Sequence, residues 1–213
     1  MKALLYSYHL SSCSFRARIA LELAKIKYKY CGIHLLQDGG AQNQKPYRDL
    51  NPKGEVPFYV EDGFGISQSM AICLYINDQH LGGSLLPKDL KLKIRCLEMT
   101  EIINSGIQPL QNLRLVQEVQ KLSDKIERGT WNSLWLERGL PAFEARLKEF
   151  SGPYSMGKEL SLVDVFLVPQ VFNGKRFDFD FSRFPRLWES FNNLMQLASF
   201  QKAEPSRQPD AQS

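Results

Sequence analysis

A chain of 213 residues with 43% hydrophobic and 23% charged side chains is long enough for one large domain or two small ones with a real core, and its balance is that of a soluble globular protein. Its 27 Lys and Arg against 23 Asp and Glu leave a net charge of +4 without a basic block, which argues against a nucleic-acid partner. Cys13, Cys31, Cys73 and Cys96 are scattered, with no CxxC and no histidine cluster beside them, so no disulfide framework and no zinc site are expected, and a reducing cytoplasm is.

The first apolar run, Ala3-Leu4-Leu5, reads as a short strand, too short for a signal peptide or a membrane span. Ser11-Ser12-Cys13-Ser14-Phe15-Arg16 follows and opens a helix that continues through Ile19-Ala20-Leu21-Glu22-Leu23-Ala24. Hydroxyls and a thiol therefore stand where unpaired N–H groups and the positive end of a helix dipole point outward. Such a place holds an anion, including a thiolate. One of these serines reads equally well as an ordinary N-cap. Cys13 reads either as a small residue at a helix start or as a reactive auxiliary thiol.

Tyr28 to Leu35 has the aromatic content of a second strand, Gly39-Gly40 breaks the chain, and the polar stretch to Leu50 can hold an irregular helix. Pro52-Lys53-Gly54 turns into a strand at Phe58-Tyr59-Val60, and Asp62-Gly63 is a hairpin signal joining it to Phe64-Gly65-Ile66. Ser67-Gln68-Ser69 opens a helix with Ile72, Tyr75 and Ile76 on one stripe. The order β-α-β-α-β-β-α over residues 1–80 predicts a small mixed sheet with helices on its faces.

Residues 81–88 read as a linker and residues 89–213 as an all-helical domain with a polar tail. Ile94, Leu97, Ile102, Leu110 and Leu113 fit long helices, with Gly106 and Pro109 marking a bend. A helix is predicted over about residues 124–149, with Trp131, Leu134, Trp135, Leu140, Phe143 and Leu147 in the core. Ser161-Leu162-Val163-Asp164 has the S-x-x-D form of a capping box, and the run Val165 to Val171 behind it is apolar on nearly every side. Alanine at Ser161 or Asp164 is expected to cost about 1 kcal/mol or more each. Two shorter helices are predicted after Pro185, and the tail from Glu204 to Ser213 is expected to be loosely ordered.

An α/β half followed by an all-α half with an S-x-x-D-capped central helix resembles the glutathione transferase family, a thioredoxin-like domain followed by a helical one. Ser11-Ser12-Cys13-Ser14-Phe15-Arg16, Asn51-Pro52-x-Gly54-x-Val56-Pro57, Gln68-Ser69-x-Ala71-Ile72 and Ile107-Gln108-Pro109-Leu110-Gln111-Asn112-Leu113 narrow the resemblance to its zeta class. Leu167-Val168-Pro169-Gln170-Val171, Arg176-Phe177 and Gln208-Pro209-Asp210 do the same, so the match runs from about residue 4 to residue 210.

The resemblance implies glutathione as cofactor, with Ser12 hydrogen-bonding its sulfur, Ser11 beside it and Cys13 in an auxiliary catalytic role. It implies a cis Pro57 that leaves the Val56 backbone free for the peptide part of glutathione, with Gln68 and Ser69 holding the γ-glutamyl carboxylate and with Gln42, Gln108 and Asn112 as further contacts. Arg176 would fork onto a carboxylate of a small dicarboxylate substrate. Arg16 would assist that site or pair with a local acid. The implied activity is cis–trans isomerisation of maleylacetoacetate in tyrosine and phenylalanine breakdown, by a homodimer. The alternatives are a maleylpyruvate isomerase, a conjugating or dehalogenating transferase, or a non-catalytic interaction protein on the same scaffold. Two departures stand out: His9-Leu10 occupies positions where relatives often carry an aromatic residue and an arginine, and Lys158 occupies a common aspartate position.

Overall fold

Ala3–Ser7 alternates buried and half-buried side chains, the pattern of a strand with one face on a core, and forms β1. The computed structural model describes residues 2–123 and 125–211. Helix α1 spans Ser12–Leu23, β2 spans Lys29–Gly32, and a short α2 spans Lys45–Leu50. Strands β3 (Phe58–Glu61) and β4 (Phe64–Ser67) form the hairpin signalled by Asp62-Gly63, and α3 spans Ser69–His80. The described strands make one sheet in the order β2-β1-β3-β4. β1 runs parallel to β2, with Leu4 opposite Lys29, and antiparallel to β3, with Leu5 opposite Tyr59. This is the thioredoxin-like arrangement, with β2 shorter than the aromatic stretch Tyr28 to Leu35 suggests.

The second half is helical: α4 (Leu90–Asn104), α5 (Leu113–Leu122), α6 (Arg128–Leu147), α7 (Leu162–Lys175), α8 (Pro185–Leu194) and α9 (Ala198–Ala203). The bend expected at Gly106 and Pro109 is a complete break, because α4 stops at Asn104 and a separate turn, Gln108–Gln111, precedes α5. A Cβ at Gly106 would stand 2.7 Å from the Ile102 carbonyl oxygen, and Pro109 has no N–H to offer a continuing helix. The helix expected from residue 124 begins at Arg128, and Asp124 itself lies outside the described residues. Within α6, Leu140, Phe143 and Leu147 are fully buried as expected. Leu134 is 40% exposed and the core place belongs to Leu136. Trp131 and Trp135 are half-buried, with the Trp131 indole donating to the Leu110 carbonyl at 2.6 Å.

The chain divides into two compact units, Met1–Gly83 with Leu197–Ser213, and Ser84–Gln196. The boundary falls inside the 81–88 stretch. The second unit does not extend to the end of the chain as the 89–213 division expects, because α9 packs on α1 and the tail follows it. Nor is the tail loose over its described part. Pro205–Arg207 and Pro209–Ala211 form short helical turns, and Gln208 donates to the Lys202 and Glu204 carbonyls at 2.9 Å each. Gln212 and Ser213 lie outside the described residues. The polar look of this segment misleads because Gln208 and Asp210 spend their side-chain polar groups on the protein rather than on water.

In the first unit, Phe15, Ile19, Ala20 and Leu21 of α1 are fully or nearly fully buried, and α1 packs between α3 and α9. In the second, every residue of α7 from Leu162 to Val171 is buried.

Glu61 closes the end of β3 on the end of α3. Its carboxylate is buried, lies 2.9 Å from His80 Nε2 and accepts the Tyr59 hydroxyl at 3.1 Å. Burial alone would raise this carboxyl, yet hydrogen bonds from His80, Tyr75 and Tyr59 outweigh burial and hold it below the usual range. The stabilisation is therefore complete above the unfolded carboxylate value, about 4.3, and is lost as pH falls through the lower folded value. Glu61→Gln should lower the thermal midpoint at neutral pH and flatten its decline below about pH 4.3. Melting curves across a pH series check this; parallel declines in the two proteins would contradict it.

Candidate active site

The loop from β1 to α1 resolves which serine is the cap. Ser11 has extended backbone angles (φ −73°, ψ 117°), and its Oγ accepts the Ser14 N–H at 3.2 Å. Ser11 is thus the N-cap of α1, as a residue of this type at this place should be. No protein hydrogen bond engages the Ser12 hydroxyl among the described residues. The first turn of α1 holds no acidic residue, so nothing there offsets the positive end of the helix dipole. A half-exposed hydroxyl, uncapped N–H groups and an unopposed dipole together make a place for a thiolate.

Arg16, expected to assist the substrate site or pair with a local acid, is 1% exposed and lies one turn into α1. Its Nη1 donates to Ser69 Oγ at 3.3 Å and reaches Cys13 Sγ at 4.0 Å. The guanidinium serves the protein's own hydroxyl and thiol, and it ties the start of α1 to the start of α3. Cys13 is half-buried beside it. Cys73, deeper in the same unit, is fully buried, and burial pushes its thiol up to about 12, so it remains a protonated packing residue.

Gln68 precedes α3 with φ +71°, a left-handed value that costs a non-glycine residue energy, and its side chain makes no cap hydrogen bond. The first N–H groups of α3 are therefore left for another acceptor, as a carboxylate would be. The Val56–Pro57 peptide is cis. Just before it, the Glu55 carbonyl accepts both the Tyr47 hydroxyl and Asn51 Nδ2, each at 2.7 Å, which explains the asparagine of the Asn51-Pro52 motif. Tyr47 was not singled out in the sequence, because nothing local marks a tyrosine on a short helix as an anchor. Gln42 donates from Nε2 to the Leu35 carbonyl at 3.1 Å, while its buried Oε1 has no protein partner among the described residues.

In the second unit, Gln108 begins the turn before α5 and Asn112 caps that helix, its side chain accepting the Arg114 N–H at 3.0 Å. Gln111, between them, is buried and accepts from Gln170 Nε2 at 2.8 Å and Asn173 Nδ2 at 3.1 Å. This network fixes the turn to α7. Arg176 is the C-cap of α7 and is exposed, its guanidinium over the Phe177 ring. Lys158 is exposed.

Two residues of the first unit were missed as more than scaffold: Arg18 and Asp210. A charged residue set between Ala17 and Ile19 in an apolar helix is a signal of a buried, partnered charge. Arg18 is 0% exposed, and burial lowers its guanidinium to about 10, so it remains charged at neutral pH.

A family profile described as "Glutathione S-transferase, N-terminal domain" matches residues 10–79. A maleylacetoacetate isomerase of Dictyostelium discoideum is 38% identical over 212 residues, covering 99% of this chain and 97% of that protein. A bacterial maleyl pyruvate isomerase, described as a zeta-class glutathione S-transferase, superposes with a TM-score of 0.92 at 31% identity, covering 98% of this chain and 99% of that one. A maleylacetoacetate isomerase of Anaeromyxobacter dehalogenans with glutathione bound in its active site superposes with a TM-score of 0.87 at 35% identity, covering 99% and 98% of the two chains. With full-length identity at this level and the same fold, the chain belongs to the zeta class of the glutathione transferase family.

Proposed function

We propose that this chain is a maleylacetoacetate isomerase, catalysing glutathione-dependent cis–trans isomerisation to fumarylacetoacetate in tyrosine and phenylalanine breakdown. The observation that carries the reading is the division of labour at α1: Ser11 is spent on the cap, which leaves the Ser12 hydroxyl for a ligand. The residues present fit glutathione. The open N–H groups of α3 beside Gln68 and Ser69 suit a carboxylate, and the unpartnered Gln42 Oε1 suits a donor. Bound glutathione supplies the thiolate nucleophile that transiently removes the double-bond character blocking rotation.

The chain's own residues then have distinct tasks. Ser12 donates to the sulfur, and the α1 dipole adds to the stabilisation of negative charge there. The Val56 backbone pairs with the peptide part of glutathione. Gln42, Gln108 and Asn112 add polar contacts; the Asn112 Oδ1 is engaged at its cap, so its Nδ2 is the atom available. Arg176, exposed and planar, takes a substrate carboxylate in a two-point fork. Arg16 holds Ser69 and Cys13 in register rather than touching the substrate.

Among the described residues no helix is long and apolar enough to cross a membrane, and the reading places the protein in the cytoplasm. Leu90 and Ile94, exposed four residues apart on one face of α4, support a homodimer. Purified protein should isomerise maleylacetoacetate only when glutathione is present and should sediment as a dimer. Glutathione-dependent turnover of maleylpyruvate alone would shift the reading to the related isomerase. Absence of both activities, despite retention on immobilised glutathione, would overturn it.

A further inference from the structure

His9, between β1 and the cap Ser11, is held at both of its backbone polar atoms by opposite charges. Its carbonyl oxygen accepts Arg18 Nη2 at 3.0 Å, and its N–H donates to Asp210 Oδ2 at 3.0 Å. Arg18 also donates to the Tyr8 carbonyl at 3.4 Å, to Ser7 Oγ at 3.3 Å and, through Nε, to the Ala203 carbonyl of α9 at 2.9 Å. The other oxygen of Asp210 accepts the Tyr30 hydroxyl at 2.7 Å, and the His9 ring nitrogen Nδ1 lies 3.6 Å from Oδ2. A Cβ at Gly32 would stand 3.5 Å from Asp210 Cβ, which is ordinary contact, so the tail lies directly against the end of β2.

Packing alone does not call for this arrangement. A helix between α3 and α9 could bury an apolar side chain at position 18 without the desolvation cost of a guanidinium. The charge serves the inward-turned His9 carbonyl, to which Arg18 Nη2 donates, and adds a second donor to the Tyr8 carbonyl, which already accepts the Ser11 N–H at 3.0 Å; an inward carbonyl without a donor is costly. On the other side of the same loop, Ser11 caps α1 and Ser12 starts it. The backbone that Arg18 and Asp210 fix is therefore the backbone that sets where the Ser12 hydroxyl stands.

We propose that Arg18 and Asp210 are positioning residues for thiol activation, making the C-terminal tail a strut of the Tyr8-to-Ser12 loop. This rests on the reading of Ser12 as the donor to the glutathione sulfur. It gives the terminal Gln208-Pro209-Asp210 motif a task at the other end of the chain. Displacements of about 1 Å in a catalytic donor can cost about 100-fold in rate, so a support of this kind can matter without touching any ligand.

The test titrates the thiol of glutathione bound to the full chain by its ultraviolet thiolate absorbance, alongside kcat and KM. Asp210→Ala should raise the titration midpoint and lower kcat about tenfold or more, with a smaller change in the KM for glutathione. Asp210→Asn, whose amide oxygen can still accept the His9 N–H, should recover most of both. Gln208→Ala removes hydrogen bonds to the Lys202 and Glu204 carbonyls, none of them to the Tyr8-to-Ser12 loop, and should lower thermal stability without moving the midpoint. If Asp210→Ala does not fold, Tyr30→Phe, which takes one hydrogen bond from Asp210, should move the midpoint in the same direction by less. An unmoved midpoint in Asp210→Ala or in its Tyr30→Phe substitute, or an equal shift in Gln208→Ala, overturns the proposal. Ser12→Ala separates the two readings: if it shifts the midpoint and Asp210→Ala does not, only the strut fails; if Ser12→Ala does not shift it, the role of Ser12 fails.

Discussion

Ser12→Ala should lower the kcat for glutathione-dependent isomerisation by about 100-fold or more, the usual loss when one preorganised donor to a developing anion is removed. The bound thiol should titrate closer to the free-thiol value of about 8.5, because the α1 dipole remains but the hydroxyl does not. Stability should change little, since no protein group depends on the Ser12 hydroxyl among the described residues. Ser11→Ala should behave in the opposite sense. It removes the cap on the Ser14 N–H, costs about 1 kcal/mol of stability, and leaves the sulfur its donor. Steady-state kinetics with the thiol titration and a melting curve for both variants distinguish these outcomes. A Ser12→Ala protein with unchanged thiol titration would remove Ser12 from the mechanism.

Asp164→Ala should be the most damaging single change to the fold. The carboxylate is fully buried and accepts the Ser155 N–H at 2.9 Å, the Ser161 N–H at 2.7 Å and the Ser161 hydroxyl at 2.9 Å. Burial pushes its carboxyl upward against the pull of these donors. Removing it leaves two buried N–H groups without acceptors, at about 1–3 kcal/mol each, so a loss of about 3 kcal/mol or more is expected. This exceeds the cap estimate of about 1 kcal/mol made from the S-x-x-D spacing alone. The difference is Ser155, whose loop the carboxylate also ties to α7. For a chain of this size the thermal midpoint should fall by about 10 °C. Calorimetry or far-ultraviolet melting checks it, and Ser161→Ala, which keeps the carboxylate, should fall by less.

The features that could be read along the chain are those whose causes are local. The hairpin at Asp62-Gly63 follows from turn chemistry, and the α7 start follows from a cap and its partner three residues away. The apolar character of α7 announces burial because a helix apolar on nearly every side has no face for water. Where spacing alone had to choose between neighbours, it erred: Leu134 and Leu136 are equally apolar, and only the packing around α6 decides which faces inward. The break after Asn104 looks like a bend in the sequence, because Gly106 and Pro109 weaken a helix without specifying how far it unwinds.

By itself, then, the sequence determined the order of strands and helices, the serine-rich helix start and the family to which these motifs point. Tertiary structure decided how the motifs are used. It spent Ser11 on the cap, buried Arg16 between Cys13 and Ser69, and returned the tail to the first unit. The physical reason is the range of the interactions. The Ser11 cap acts over 3 residues, whereas the hydrogen bond from His9 to Asp210 spans 201. A contact of that range leaves no periodicity or spacing in the sequence, so it exists only once the fold has brought both ends of the chain to one loop.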